Sequence, residues 1–113
     1  MADRIALHTA VDRLAGRLRS LPQRRLQAGA AAEARELARW LARQAQAVEF
    51  PGREPYELPD DGMFVVGDQL AVAGHDLLAA LSARLADGAD PERVGALLEE
   101  ALARVTRTAR AVG

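Results

Sequence analysis

The chain has no cysteine, no lysine and no asparagine, and only one isoleucine. Without cysteine there are no disulfides, no thiolate metal sites and no cysteine nucleophile. All fifteen basic residues are arginine, and alanine and leucine dominate the rest. That usage points to a GC-rich bacterial genome, so the missing lysine reflects coding bias and not an arginine surface built for a purpose. Excess charge of one sign is also missing. The formal net charge is -1, which leaves no overall electrostatic case for nucleic acid or an anionic membrane. Long apolar runs are lacking: no stretch approaches the roughly 20 residues of a membrane span. The start, MADRIALHTAVDR, meets charge every few residues and lacks the apolar core of a signal peptide. The expectation is a cytoplasmic chain that does not enter a membrane.

What is present is helical periodicity. The 113 residues suffice for one domain with one core, 1–113. Leu7, Val11, Leu14, Leu18 and Leu21 make one stripe of a first helix over about 3–19. Ser20-Leu-Pro-Gln23 then fits a capping box opening a second helix over about 21–49, with a kinked continuous helix as the alternative. Leu26, Ala30, Glu33, Leu37, Trp40 or Leu41, Gln44 and Val48 form its stripe. Met63, Val66, Leu70, Ala73, Leu77 and Leu81 define a third helix over about 63–86. Val65, Val72, Leu78 and Leu85 add a second stripe that makes this helix apolar around most of its girth. Such a helix is central to a bundle or part of a self-association surface. Asp60 or Asp61 would cap it. Asp90-Pro91-Glu92 starts a fourth helix over about 91–111, with Val94, Leu98, Ala101, Val105, Thr108 and Val112 as its stripe. The fold class expected is all-α, a four-helix bundle of two helical hairpins with a long connection between helices 2 and 3.

That connection, FPGREPYELPDDG from Phe50 to Gly62, breaks the pattern. It holds three of the five prolines and two of the four aromatics. Plain helix–helix connections are short, so a segment of this length marks a site or a disordered stretch. Residues 54–66 admit either a β-hairpin or a loop leading into helix 3. Charge is uneven too: residues 1–25 carry six Arg against two Asp, and residues 49–90 carry nine acids against two Arg. Complementarity within one bundle or between two copies accounts for this, as would an acidic partner meeting the arginines. Phe50, Tyr56, Asp60, Asp61 and Phe64 are the candidates for contact with a protein partner, since aromatics beside an acidic loop are good anchors. Trp40 and Phe64 packed in the core, with Tyr56 folded over them, is the alternative.

Catalytic signatures are scarce. There is no P-loop, no GxGxxG, no HExxH and no Glu-x-x-His pair. Ser20 and Ser82 are the only serines. His8 and Asp12 lie one turn apart, an unremarkable pair. His75 shares an edge with Asp61, Asp68 and Ser82 that recurs every seven residues, read as a solvated or partner-facing edge or as a metal or acid–base position. Glu33-Ala-Arg-Glu36 followed by Asp68 before a Leu-rich helix resembles the all-α nucleoside triphosphate pyrophosphohydrolases of the MazG type, over about 22–85. The resemblance implies a helical bundle and a Mg²⁺ cage from Glu33, Glu36 and Asp68. The chain departs from that pattern at Val65, where the family has Glu. The sequence therefore reads first as a non-enzymatic interaction or regulatory module without cofactor, self-associating and meeting a further protein partner. The alternative is a Mg²⁺-dependent pyrophosphohydrolase or a decayed relative. Nucleic acid is not an expected partner, because Asp3 and Asp12 interrupt the arginines of helix 1.

Overall fold

A computed structural model describes residues 3–113; residues 1 and 2 of the expected domain lie outside the described residues. Among the described residues the chain is all-α, with four helices and no strand.

Helix α1 (Arg4–Ser20) opens on Asp3, whose carboxylate accepts from the Ala6 amide at 2.7 Å. Leu7, Val11, Leu14 and Leu18 are buried, as the four-and-three spacing predicts. The helix stops because Leu21 precedes Pro22, and the proline ring pushes the residue before it into extended backbone. The expected capping box does not form. The Ser20 hydroxyl donates back to the Gly16 and Arg17 carbonyls, and the next helix opens with no side-chain cap.

Helix α2 (23–49) starts as Gln23–Arg25, passes through a π turn at Leu26–Ala30 and continues as Ala31–Glu49. Gly29 sits at φ 140° in that turn, a region that L side chains avoid. The helix is therefore kinked at Gly29. The Arg25 guanidinium donates to the Val112 carbonyl at 2.8 Å and so satisfies one of the last carbonyls of the fourth helix. Glu33 is exposed, not core-facing.

A 3₁₀ turn, Met63–Val65, leads into α3 (Val66–Ala86). Neither Asp60 nor Asp61 caps it. Asp60 accepts from the Gly62 amide at 3.0 Å and pairs with Arg35 at 3.0 Å, and Gly62 turns the chain at φ 97°. Helix α4 (Pro91–Val112) opens as expected, with Asp90 accepting from the Glu92 amide and Pro91 in the first turn. Its whole predicted stripe is buried.

The helices do not pack as two hairpins. The extended seams are α2–α3, α1–α3, α1–α4 and α2–α4, while α1 and α2, and likewise α3 and α4, lie diagonally across the bundle. Arg4 meets Ser82 and Arg19 meets Asp68, so α1 runs antiparallel to α3. The start of α3 lies near Arg35 and its end near Val48, so α2 and α3 are parallel neighbours. Parallel neighbours need a connection that returns along the helix, and this explains the long break. Residues 50–62 retrace α2: Tyr56 is held by Gln46, Glu57 reaches Arg43 and Asp60 reaches Arg35. Fully extended, such a segment spans up to about 43 Å, more than the roughly 31 Å length of α3.

The core is leucine, valine and alanine, with Leu7, Leu14, Leu41, Leu70, Leu77 and Leu81 fully buried. Helix α3 is its spine. Gly67 and Gly74 face α1 so closely that a Cβ on Gly74 would sit 2.7 Å and 2.9 Å from the two Val11 methyls. The expectation that no stretch approaches a membrane span does not hold for α3 and the turn before it. By length and composition Met63–Ala86 would suffice to cross a membrane, but half of its most apolar window is buried inside the bundle. The sequence concealed this because Asp68 and Asp76 interrupt the run without removing its apolar mean.

Candidate functional site

Two arrangements of side chains stand out. The first is a groove of about 330 Å³ between α3, α2 and the returning segment. Its apolar surface includes Leu58, Val65 and Val72, and its acids are Asp61, Asp68 and Asp76. Local structure places each of them. Gln46 brackets Tyr56 by donating to its carbonyl at 2.8 Å and accepting from its amide, which fixes the backbone two residues before Leu58. Gln69 donates to the Pro59 carbonyl at 3.0 Å and ties the same segment to α3. Val65 and Val72, seven apart, then share a helix face that the segment covers only in part. Val72 is 60% exposed.

Charge in the groove is only partly compensated. Asp68 accepts from Arg19 Nε at 2.7 Å. Asp61 and Asp76 have no cationic partner within 4 Å among the described residues. Farther along the same seam Glu49 and Asp87 join Asp76 around a second cleft. Its one cation, Arg84, already donates to the Val48 carbonyl at 2.8 Å.

The contact candidates read from the sequence distribute as follows. Tyr56 and Phe64 are 71% and 68% exposed, and Phe50 is half exposed under the Arg53 guanidinium. Phe64 is thus not core. Trp40 is partly buried, with Arg104 stacked on its ring at 4.3 Å. Asp60 is engaged by Arg35, whereas Asp61 edges the groove.

The carboxylates named by the pyrophosphohydrolase resemblance are not brought together. Glu33 and Glu36 line a cleft between α2 and α4 beside Arg43, Arg104 and Arg107. Asp68 faces α1 and the groove. Among the described residues no set containing these three lies within the reach of one ion.

The second arrangement joins α1 to α3. His75 Nε2 lies 2.7 Å from one oxygen of Asp12, and His8 Nε2 lies 3.0 Å from the other. The two imidazoles stack, with centroids 4.9 Å apart and planes 18° from parallel. His8 and Asp12 taken alone are an ordinary pair one turn apart. Gly67 and Gly74, seven apart in the sequence, mark a close helix crossing immediately beside His75. The edge Asp68, His75, Ser82 in fact pairs along α1 with Arg19, Asp12 and Arg4.

No known protein family, curated protein or solved structure matches the chain.

Proposed function

We propose that the chain is a non-enzymatic interaction module that pairs with a second copy of itself through the groove on α3. The observation that carries this reading is Val72, a large apolar side chain 60% exposed beside the unpaired Asp61 and Asp76. An exposed apolar patch flanked by uncompensated acid fits an apolar, cationic surface. The chain itself carries one. Ile5, Arg13 and Arg17 are spaced by eight and four along α1 and so share an exposed face, with Ile5 77% exposed. Neither arginine has an ion pair among the described residues. In a two-fold dimer the α1 face of each protomer would meet the groove of its partner, so one contact is made twice.

Sedimentation equilibrium tests this directly. The native chain is expected to be a dimer whose dissociation rises with salt, since rim charges are screened. Asp76→Arg and Arg13→Asp should each weaken the dimer about tenfold, and the double variant should recover most of the loss. A monomer at every concentration would sink self-association and leave a foreign basic, amphipathic segment as the occupant to be sought. The pyrophosphohydrolase reading has less behind it. Glu33 and Glu36 have arginines of α4 for neighbours in place of a third carboxylate.

A further inference from the structure

We infer that His8, Asp12 and His75 form a binding site for one divalent first-row transition ion of the zinc type, bridging α1 and α3. The three side chains present two imidazole nitrogens and a carboxylate oxygen, and these donor atoms all lie within 4.8 Å of one another. Around a tetrahedral Zn²⁺ ion, Zn–N bonds of about 2.0–2.1 Å and Zn–O bonds of about 2.0–2.2 Å set donors roughly 3.3–3.5 Å apart, so these exposed side chains need to close by about an ångström to take the ion. Both imidazoles turn Nε2, the same ring nitrogen, toward one carboxylate, and they reach it from two helices. A hydrogen-bonded staple between α1 and α3 needs one histidine. The second, stacked on the first and aimed at the other oxygen, completes a set of three convergent ligands.

The chemistry of the donors selects the ion. Mg²⁺ and Ca²⁺ favour all-oxygen surroundings, whereas two imidazoles with one carboxylate suit Zn²⁺, Ni²⁺, Co²⁺ or Cu²⁺. Three protein ligands leave a position for water. The side chains are 44–55% exposed, so an ion reaches the site without opening the bundle. The close approach of the two helices is built in, because Gly74 lets Val11 pack directly against the α3 backbone one residue before His75. Neither Nδ1 atom has a hydrogen-bond partner among the described residues. Outer partners of that kind are each worth about tenfold to a hundredfold in affinity, so binding is expected in the micromolar range.

The test uses the tag-free chain stripped with EDTA and titrated with ZnCl₂ in a non-chelating buffer. One ion per chain should bind. At about a hundredfold excess over Kd the melting midpoint should rise by on the order of 10 °C, because the ion binds only the folded arrangement. His8→Gln, Asp12→Asn and His75→Gln should each weaken binding at least tenfold, while Glu92→Gln leaves it unchanged. Co²⁺ gives a readout independent of stability: visible d–d absorption that disappears in the two histidine variants. Circular dichroism of each ion-free variant checks that it remains folded. The inference is overturned if no ion binds below about 100 μM, or if the three variants bind as the native chain does. It is equally overturned if they lower only the ion-free melting point, which would make the cluster a hydrogen-bonded staple and nothing more.

Discussion

Replacing Gly74 with alanine tests the α1–α3 crossing on which both the register of the bundle and the histidine cluster depend. The new Cβ would stand 2.7 Å and 2.9 Å from the Val11 methyls, where ordinary contact begins near 3.4 Å. Val11 is fully buried, and a β-branched side chain in a helix has one preferred rotamer, so it cannot swing aside. The helices must part by several tenths of an ångström, and overpacking of this kind costs about 1–3 kcal/mol. Alanine returns up to about 1 kcal/mol through helix propensity. The net expectation is a loss of roughly 1 kcal/mol, or about 4–8 °C in melting midpoint. Gly16→Ala is the control. Gly16 lies inside α1 with nothing within 4 Å of its virtual Cβ, so that variant should gain about 0.5–1 kcal/mol. Urea unfolding followed at 222 nm resolves this difference in sign. Val11→Ala combined with Gly74→Ala should cost less than the sum of the two single variants, with a favourable coupling of about 1 kcal/mol in the double-mutant cycle. If Gly74→Ala is as stabilising as Gly16→Ala, the helices do not approach as described and the reasoning fails.

Two further perturbations probe other links. Leu77 is fully buried on α3, and Leu77→Asp should unfold the chain or break its oligomer, since an unpaired charge replaces core packing; unchanged melting together with unchanged mass would contradict the α3 packing. Gln46→Ala removes both hydrogen bonds to the Tyr56 backbone, so Tyr56 amide exchange should accelerate about tenfold or more at a cost near 1 kcal/mol; unchanged protection at Tyr56 would show that the returning segment is held by something else.

The helices and most of the core were legible in the sequence because burial imposes a period. The α1 and α4 stripes are buried almost residue for residue. What was not legible depends on how helices meet. A stripe says which face is buried, not against which neighbour, so Leu-rich periodicity could not distinguish hairpin packing from the diagonal arrangement. The capping box at Ser20 failed because the hydroxyl had a competing option in the carbonyls one turn back. The exposure of Phe64 was hidden because Val66 and Leu70 take the core positions of its helix. The histidine cluster joins residues 63 positions apart, and no local spacing encodes that.

The diagonal placement of α1 against α2 bears on how the chain reaches this state. A bundle of hairpins can assemble pair by pair, each pair closing a short loop. Here α1 has its principal neighbours in α3 and α4, and the contacts Arg4–Ser82, Asp12–His75 and Arg19–Asp68 span 78, 63 and 49 residues. The chain entropy of those closures must be met before α1 gains any of its packing. Helix α1 therefore gains its main packing only once the return segment has crossed the bundle and α3 has been laid down. For an all-helical chain, its N-terminal helix thus depends on unusually long-range closures.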